Sequence, residues 1–229
     1  MRIYKTICKQ LTDRRIDQPA IIRQLPSGHF TLRSGRNNLL SNLLAQDGYA
    51  FSQADINLTS SPQKGLDGYI SVDSLVYNDI HIDSIRADLT SVDGQVNYKL
   101  SVANNPNNSY PYHGYLQGIL YEHGLQTHAT ILDNNGKKGF DLAVQAVMKG
   151  RGIQLSITSP HSILGYKSFA VNDSNYIYIG RDRRLSADLR LEAADGTGML
   201  VSTEDSDTTS LQNVTLSMNH FELGNLLAV

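Results

Sequence analysis

Four side chains able to ligate a metal or move a proton crowd one stretch, HGYLQGILYEHGLQTH: His113, Glu122, His123 and His128. Imidazoles beside a carboxylate can hold zinc, but the spacing argues against a shared site. His113 and His123 have the same parity on one expected strand, and at ~3.3 Å per residue they stand about 33 Å apart. All four are read as exposed strand and turn residues. DNNGKKG (133–139) has the glycines of a ligand loop. It lacks the hydroxyl of a phosphate loop and the spaced carboxylates of a calcium loop, so it is read as a hairpin turn. GRDRR (180–184) could hold an anion, yet it falls between two apolar runs and reads as a charged turn. Cys8 is the single cysteine, which excludes an internal disulfide and a thiolate zinc cluster. The sequence contains no G-x-S-x-G, H-E-x-x-H, phosphate-loop or dinucleotide-loop pattern. No catalytic residue, cofactor or metal is assigned, and the expectation is that the chain is not an enzyme.

Composition narrows the partners. The net charge of −2 gives no global attraction to nucleic acid. Eight basic residues fall within 1–36 (Arg2, Lys5, Lys9, Arg14, Arg15, Arg23, Arg33, Arg36), and they are read as a solvated face. No apolar run is long enough for a membrane span, and MRIYKTICKQLTDRR has no apolar core of a signal peptide. Four N-x-S/T triplets, at Asn57, Asn107, Asn172 and Asn213, are expected by chance in so asparagine-rich a chain. The apolar ending FELGNLLAV suggests a piece of a longer chain.

The elements that would position any site are mostly strands. Residues 1–48 read as a mixed segment. Ile3, Ile7 and Leu11 have a weak helical spacing, and Pro19 suits a first helical turn. NNLLSNLLAQDG predicts a helix over 38–46, with Asn37 as its cap and Asp47-Gly48 as its stop. Its Leu39, Leu40, Leu43 and Leu44 are expected to plug one end of an apolar sheet face.

From Tyr49 to Met218 the period is two. In GYISVDSLVYNDIHIDSIRADL, Ile70 and Val72 alternate, the phase shifts near DSL and ND, and Ile80 and Ile82 follow. Val96, Tyr98 and Leu100 form another set. Phe140, Leu142, Val144, Ala146 and Met148 form the longest, with Ile153, Leu155 and Ile157 running back after KGRG. These fifteen residues are the candidate lining of an apolar face. Asp141, Gln145 and Lys149 are expected to face water, and Gly150 and Gly152 to supply positive φ at the turn. SPHSILGYKSF reads as a connector, and 219–229 as a truncated apolar element. About a dozen antiparallel strands with one apolar face each predict an all-β fold: a sandwich, a barrel or an extended sheet.

Four stretches carry a resemblance: INLTSSPQKGLDGYISVDSLVYNDIHIDSIRADL, GYLQGILYEHG, LGYKSFAVNDSNYIYIGRDRRLSADLRLEAADGTGMLVSTED and LQNVTLSMNHFELGNLL. Together these resemble the TamB/AsmA-like translocation and assembly module proteins of Gram-negative envelopes, in the TamB-like form found in Bacteroidetes. The resemblance implies a β-taco, an extended antiparallel sheet curled into a U-shaped groove with an aliphatic interior. It implies an internal segment of a longer inner-membrane-anchored protein that spans the periplasm. Its implied role is outer-membrane biogenesis, by conducting phospholipid or by assembling β-barrel proteins with an outer-membrane barrel partner. The competing expectation is a β-sandwich adhesin or carbohydrate-binding module. The absence of Trp weighs against it, because sugar platforms rely on aromatic faces. Exposed apolar edges would favour a homo-oligomer of the isolated segment.

Overall fold

The computed structural model describes residues 26–78, 80–108, 111–121, 123–204 and 213–220. Several expectations fall outside them: the helical spacing before residue 26, Cys8, six of the eight basic residues near the start, Glu122, and 221–229. Strands make up 70% of the described residues. Globular proteins average roughly 20–25% strand, so the all-β class is secure. The strands pair antiparallel, and the described residues divide into two compact units, 26–121 with 131–137 and 123–130 with 138–220.

In the first unit, strands β1 (Gly28–Gly35), β3 (Gln53–Ser61), β4 (Gly65–Tyr77), β5 (Ile80–Val92), β6 (Gln95–Ala103) and β7 (Tyr112–Tyr121) lie side by side in that order. A two-residue strand, β2 (Tyr49–Ala50), pairs with the end of β4, and Tyr49 stacks on Tyr77 at 4.3 Å. The expected phase shift is real. Ser74 and Asn78 both have positive φ, 52° each, where the apolar positions change from 70 and 72 to 75 and 77. A left-handed residue interrupts the pleat there. Beyond the kink, buried Asn104 stands in for ladder groups: its Oδ1 accepts from the Asp83 N–H (2.9 Å) and its Nδ2 donates to the His81 carbonyl (3.2 Å). Asn104 therefore pins the end of the sheet, and the Asn108 Nδ2 adds a bond to the same His81 carbonyl (3.1 Å).

Helix α1 (Leu39–Ala45) forms where expected, but its cap is Asn38 rather than Asn37, which sits at φ 59°. Asn38 accepts from the Ser41 N–H (3.0 Å), and the Ser41 hydroxyl oxygen accepts from the Asn38 N–H (2.9 Å), a reciprocal capping box. The plug is overturned. None of the helix residues is buried, and Leu39 and Leu43 are 87% and 58% exposed. The cause is the helix's shortness. At seven residues it spans the step from β1 to β2, with Leu39 and Leu43 in solvent and Leu40 and Leu44 half-buried. Leu43→Asp should therefore leave the urea midpoint nearly unchanged, within about 0.5 kcal/mol, as at other exposed sites. A loss of several kcal/mol would restore the plug.

The second unit begins with residues 124–130 of β8 (Gly124–Asp133). It continues with β9 (Lys138–Lys149), β10 (Gly152–Ile157), β11 (His161–Leu164), β12 (Lys167–Val171), β13 (Tyr176–Gly180), β14 (Leu185–Glu192), β15 (Gly198–Glu204) and β16 (Asn213–Asn219). DNNGKKG, whose residues 133–137 count with the first unit, is the expected turn: the Gly136 N–H donates to the Asp133 carbonyl (3.0 Å), and Gly136 has φ 75°. At KGRG only Gly150 has positive φ (60°). Gly152 is glycine for lack of space, since a methyl group there would collide with the Ile179 carbonyl and the Tyr178 ring. That corrects the expectation of positive φ at both.

The stretch expected as a connector is a hairpin. Gly165 and Tyr166, with φ 58° and 63°, turn β11 into β12. Positive φ at both central residues matches the twist of the flanking strands. This hairpin fills a wedge. β10 occupies β9 from Val144 to Lys149, while β11 takes Phe140 and Asp141. β13 occupies β14 from Leu185 to Asp188, while β12 takes Leu191 and Glu192. From the wedge Phe169, 2% exposed, joins buried Leu189, Leu191 and Ala193 in the core.

Candidate functional site

The site is built from strand register. In the first unit one row crosses six strands: Leu32, Ile56, Ile70, Ala87, Leu100, Leu116. Every member is aliphatic because each occupies the same parity in its own strand, and pairing sets them side by side. A parallel row runs Ala54, Val72, Ile85, Val102, with Gly114 at its end. Another places Tyr98 beside Leu89, and Val96 pairs with Leu120. The opposite parity is polar: Thr31, Asn57, Tyr69, Asp88, Lys99, Gln117. Ion pairs stitch that face, Arg33 Nε to Asp55 at 3.2 Å and Arg86 Nη2 to Asp73 at 2.5 Å.

The candidate residues of this unit are thus distributed unevenly. Ile70, Val72, Val96, Tyr98 and Leu100 share the aliphatic rows. Ile82 and Ile80 lie beyond the kink, opposite Leu75 and Tyr77, and Ile80 is exposed. The six members of the long row are all half-buried rather than buried. A sheet face enclosed by a second layer would be covered.

In the second unit Met148 pairs with Ile153, Ala146 with Leu155 and Val144 with Ile157. The rows continue through Ile179 to Leu185 and through Ile177 to Ala187. Further along β14, Leu189 and Leu191 lead to Val201 and Met199, then to Leu216 and Met218. Phe140 lies beside Leu164, with Leu142 between it and Val144 on the same parity. This face is graded. It is closed at Leu191 (2% exposed) and open at Ile179 (46%) and at Leu216 on the last strand (61%).

On the other face of β9, Asp141 does not look into open water. Its carboxylate is mostly covered, accepts from Thr130 Oγ1 (3.1 Å) and pairs with His128 Nε2 and Lys138 Nζ. Burial pushes the Asp141 carboxyl up. Hydrogen bonds from Lys138, His128 and Thr130 outweigh that and hold it below the usual carboxylate range. The expectation of a plainly solvated Asp141 gives way to this network. His128 serves it, His123 gives its carbonyl to the Met148 N–H (2.9 Å), and His113 lies opposite Ala103. Among the described residues no three His, Cys, Asp or Glu side chains come together as metal ligands.

GRDRR is the expected turn between strands, β13 and β14. Its surroundings were not foreseeable. The Arg181 N–H donates to the Arg151 carbonyl (3.1 Å), which brings the β9–β10 turn against it. The class the fold and site define is an all-β protein with amphipathic antiparallel sheets. Comparison with known protein families, with curated proteins and with solved structures found no match for this chain.

Proposed function

We propose that this chain is a segment of a TamB/AsmA-like envelope protein that carries phospholipid in the periplasm on an apolar sheet face, without catalysis. In this reading the sheets curl into a U-shaped groove, the aliphatic rows line it, and the parent protein works with an outer-membrane barrel. The observation that carries it is the row from Leu32 to Leu116, six aliphatic side chains in register, all half-buried and none fully covered. An apolar face left open to water costs free energy, at about 25 cal/mol per Å² of apolar surface. Acyl chains would relieve that cost, at about 0.8 kcal/mol per buried methylene. The rows offer few polar anchors, so an acyl chain would bind without being fixed in place.

Native mass spectrometry of the chain purified without detergent tests this. Bound phospholipid, lost on exchange into a mild detergent, is the expected result. A chain that emerges free of lipid, and gains none on incubation with phospholipid vesicles, would overturn the reading and leave a structural role in the envelope.

A further inference from the structure

Where the β9–β10 and β13–β14 turns meet, a cavity of about 490 Å³ is lined by Arg151, Arg181, Arg184, Tyr178 and Ser186, with Asp182 as its single acid. Nothing in the aliphatic-face argument uses these residues. The arrangement is specific. Asp182 is turned back on its own loop, where Oδ1 accepts from the Arg184 N–H (3.1 Å) and lies over Gly180. The turn is closed by the Gly180 N–H donating to the Arg184 carbonyl (2.8 Å) and the Arg183 N–H donating to the Gly180 carbonyl (2.9 Å). Tyr178 and Ser186 are cross-strand neighbours on the polar parity and give the wall hydroxyl groups.

We propose that this cavity binds a phosphate ester. Guanidinium groups match phosphate oxygens with forked hydrogen bonds, and hydroxyls complete the shell. The volume exceeds that of inorganic phosphate and falls in the range of small-molecule sites. The neighbourhood narrows the ligand. One residue inward from the two turns, Met148, Ile153, Ile179 and Leu185 stand side by side at the open end of the aliphatic face. Tyr178 and Ser186 face the other side of the sheet from these four, and Leu185, which also lines the cavity, is the one residue common to both. A ligand with its phosphate on the arginines and an apolar body carried round the turn end past Leu185 onto the rows is an anionic phospholipid. This second step rests on the lipid-carrying reading; the phosphate site does not.

The test uses the whole chain and three probes: inorganic phosphate, dihexanoyl phosphatidylglycerol below its micelle concentration, and dihexanoylglycerol, which lacks the phosphate. Isothermal titration should find phosphatidylglycerol the tightest. The double variant R151Q/R184Q, at exposed positions, should weaken phosphate and phosphatidylglycerol by on the order of tenfold or more and leave dihexanoylglycerol alone. Leu155→Glu should weaken the two lipids and spare inorganic phosphate. Undiminished binding of both phosphate probes by R151Q/R184Q overturns the cavity proposal. Arginine-dependent phosphate binding with no effect of Leu155→Glu on either lipid upholds the cavity and overturns the lipid face.

Discussion

Phe169→Ala is expected to destabilise the second unit by about 3–5 kcal/mol, the cost of emptying a closed aromatic site. Phe169 is 2% exposed and packs with Leu189, Leu191 and Ala193. Ile157, Leu164, Val171, Ile177, Met199 and Val201 surround that group, so they would have to collapse into the space. The wedge position makes collapse hard. β11 and β12 are held between β9 and β14 by two register pairs on each side, and fully buried Ser162 lies opposite Phe169. In urea the transition of this unit should move to clearly lower concentration. Hydrogen exchange should localise the loss to β11, β12 and β14. The contrasting case is Ile70→Ala on the half-buried row of the first unit, expected to cost about 1 kcal/mol because only part of the side chain leaves a covered site. Equal costs at the two positions would contradict the difference between a closed core and an open face.

The second large effect is functional and follows from the lipid proposal. A carboxylate placed in an aliphatic row should stop an acyl chain from lying along it, because the charge keeps its water. Val144→Glu and Leu155→Glu do this in the second unit, and Leu100→Glu does it in the first. All three positions are half-buried, so the introduced charge can reach solvent and the fold should survive with a modest loss. The full-length protein carrying any of them should reach the envelope yet fail to support the outer-membrane barrier. The isolated chain should lose most of its co-purified phospholipid, on the order of tenfold, the equivalent of about 1.4 kcal/mol. Gln117→Glu is the control. It lies on the polar face opposite Lys99, where a carboxylate gains a partner, and should be silent. Barrier function and lipid content that persist in Val144→Glu, Leu155→Glu and Leu100→Glu would remove lipid conduction and favour a scaffold.

The alternation in the sequence determined the strands, their two faces and most of the turns. These are local matters: a period of two fixes which side chains share a face, and Gly, Asn or Asp at a reversal fixes where the chain bends. Val144, Ala146 and Met148 could be assigned to one face from their spacing alone, and DSL could be marked as a kink because the apolar parity changes there. Only the tertiary structure decided which faces are covered. Leu39 and Leu43 have the helical spacing of a buried stripe and lie in solvent, while Phe169, in a stretch that looked like a connector, closes the core. The alternation of Phe169 with Val171 after Gly165-Tyr166 was a signal for that hairpin, but burial depends on which distant strands leave a gap for it, and spacing along the chain says nothing of that. The same holds for Asp141, whose partners His128 and Thr130 come from the neighbouring strand, and for Arg151 and Arg181, thirty residues apart and joined by one backbone hydrogen bond. Strand pairing sets such neighbours. It is a long-range choice among registers, settled by how well whole rows fit against each other and not by any one stretch of sequence.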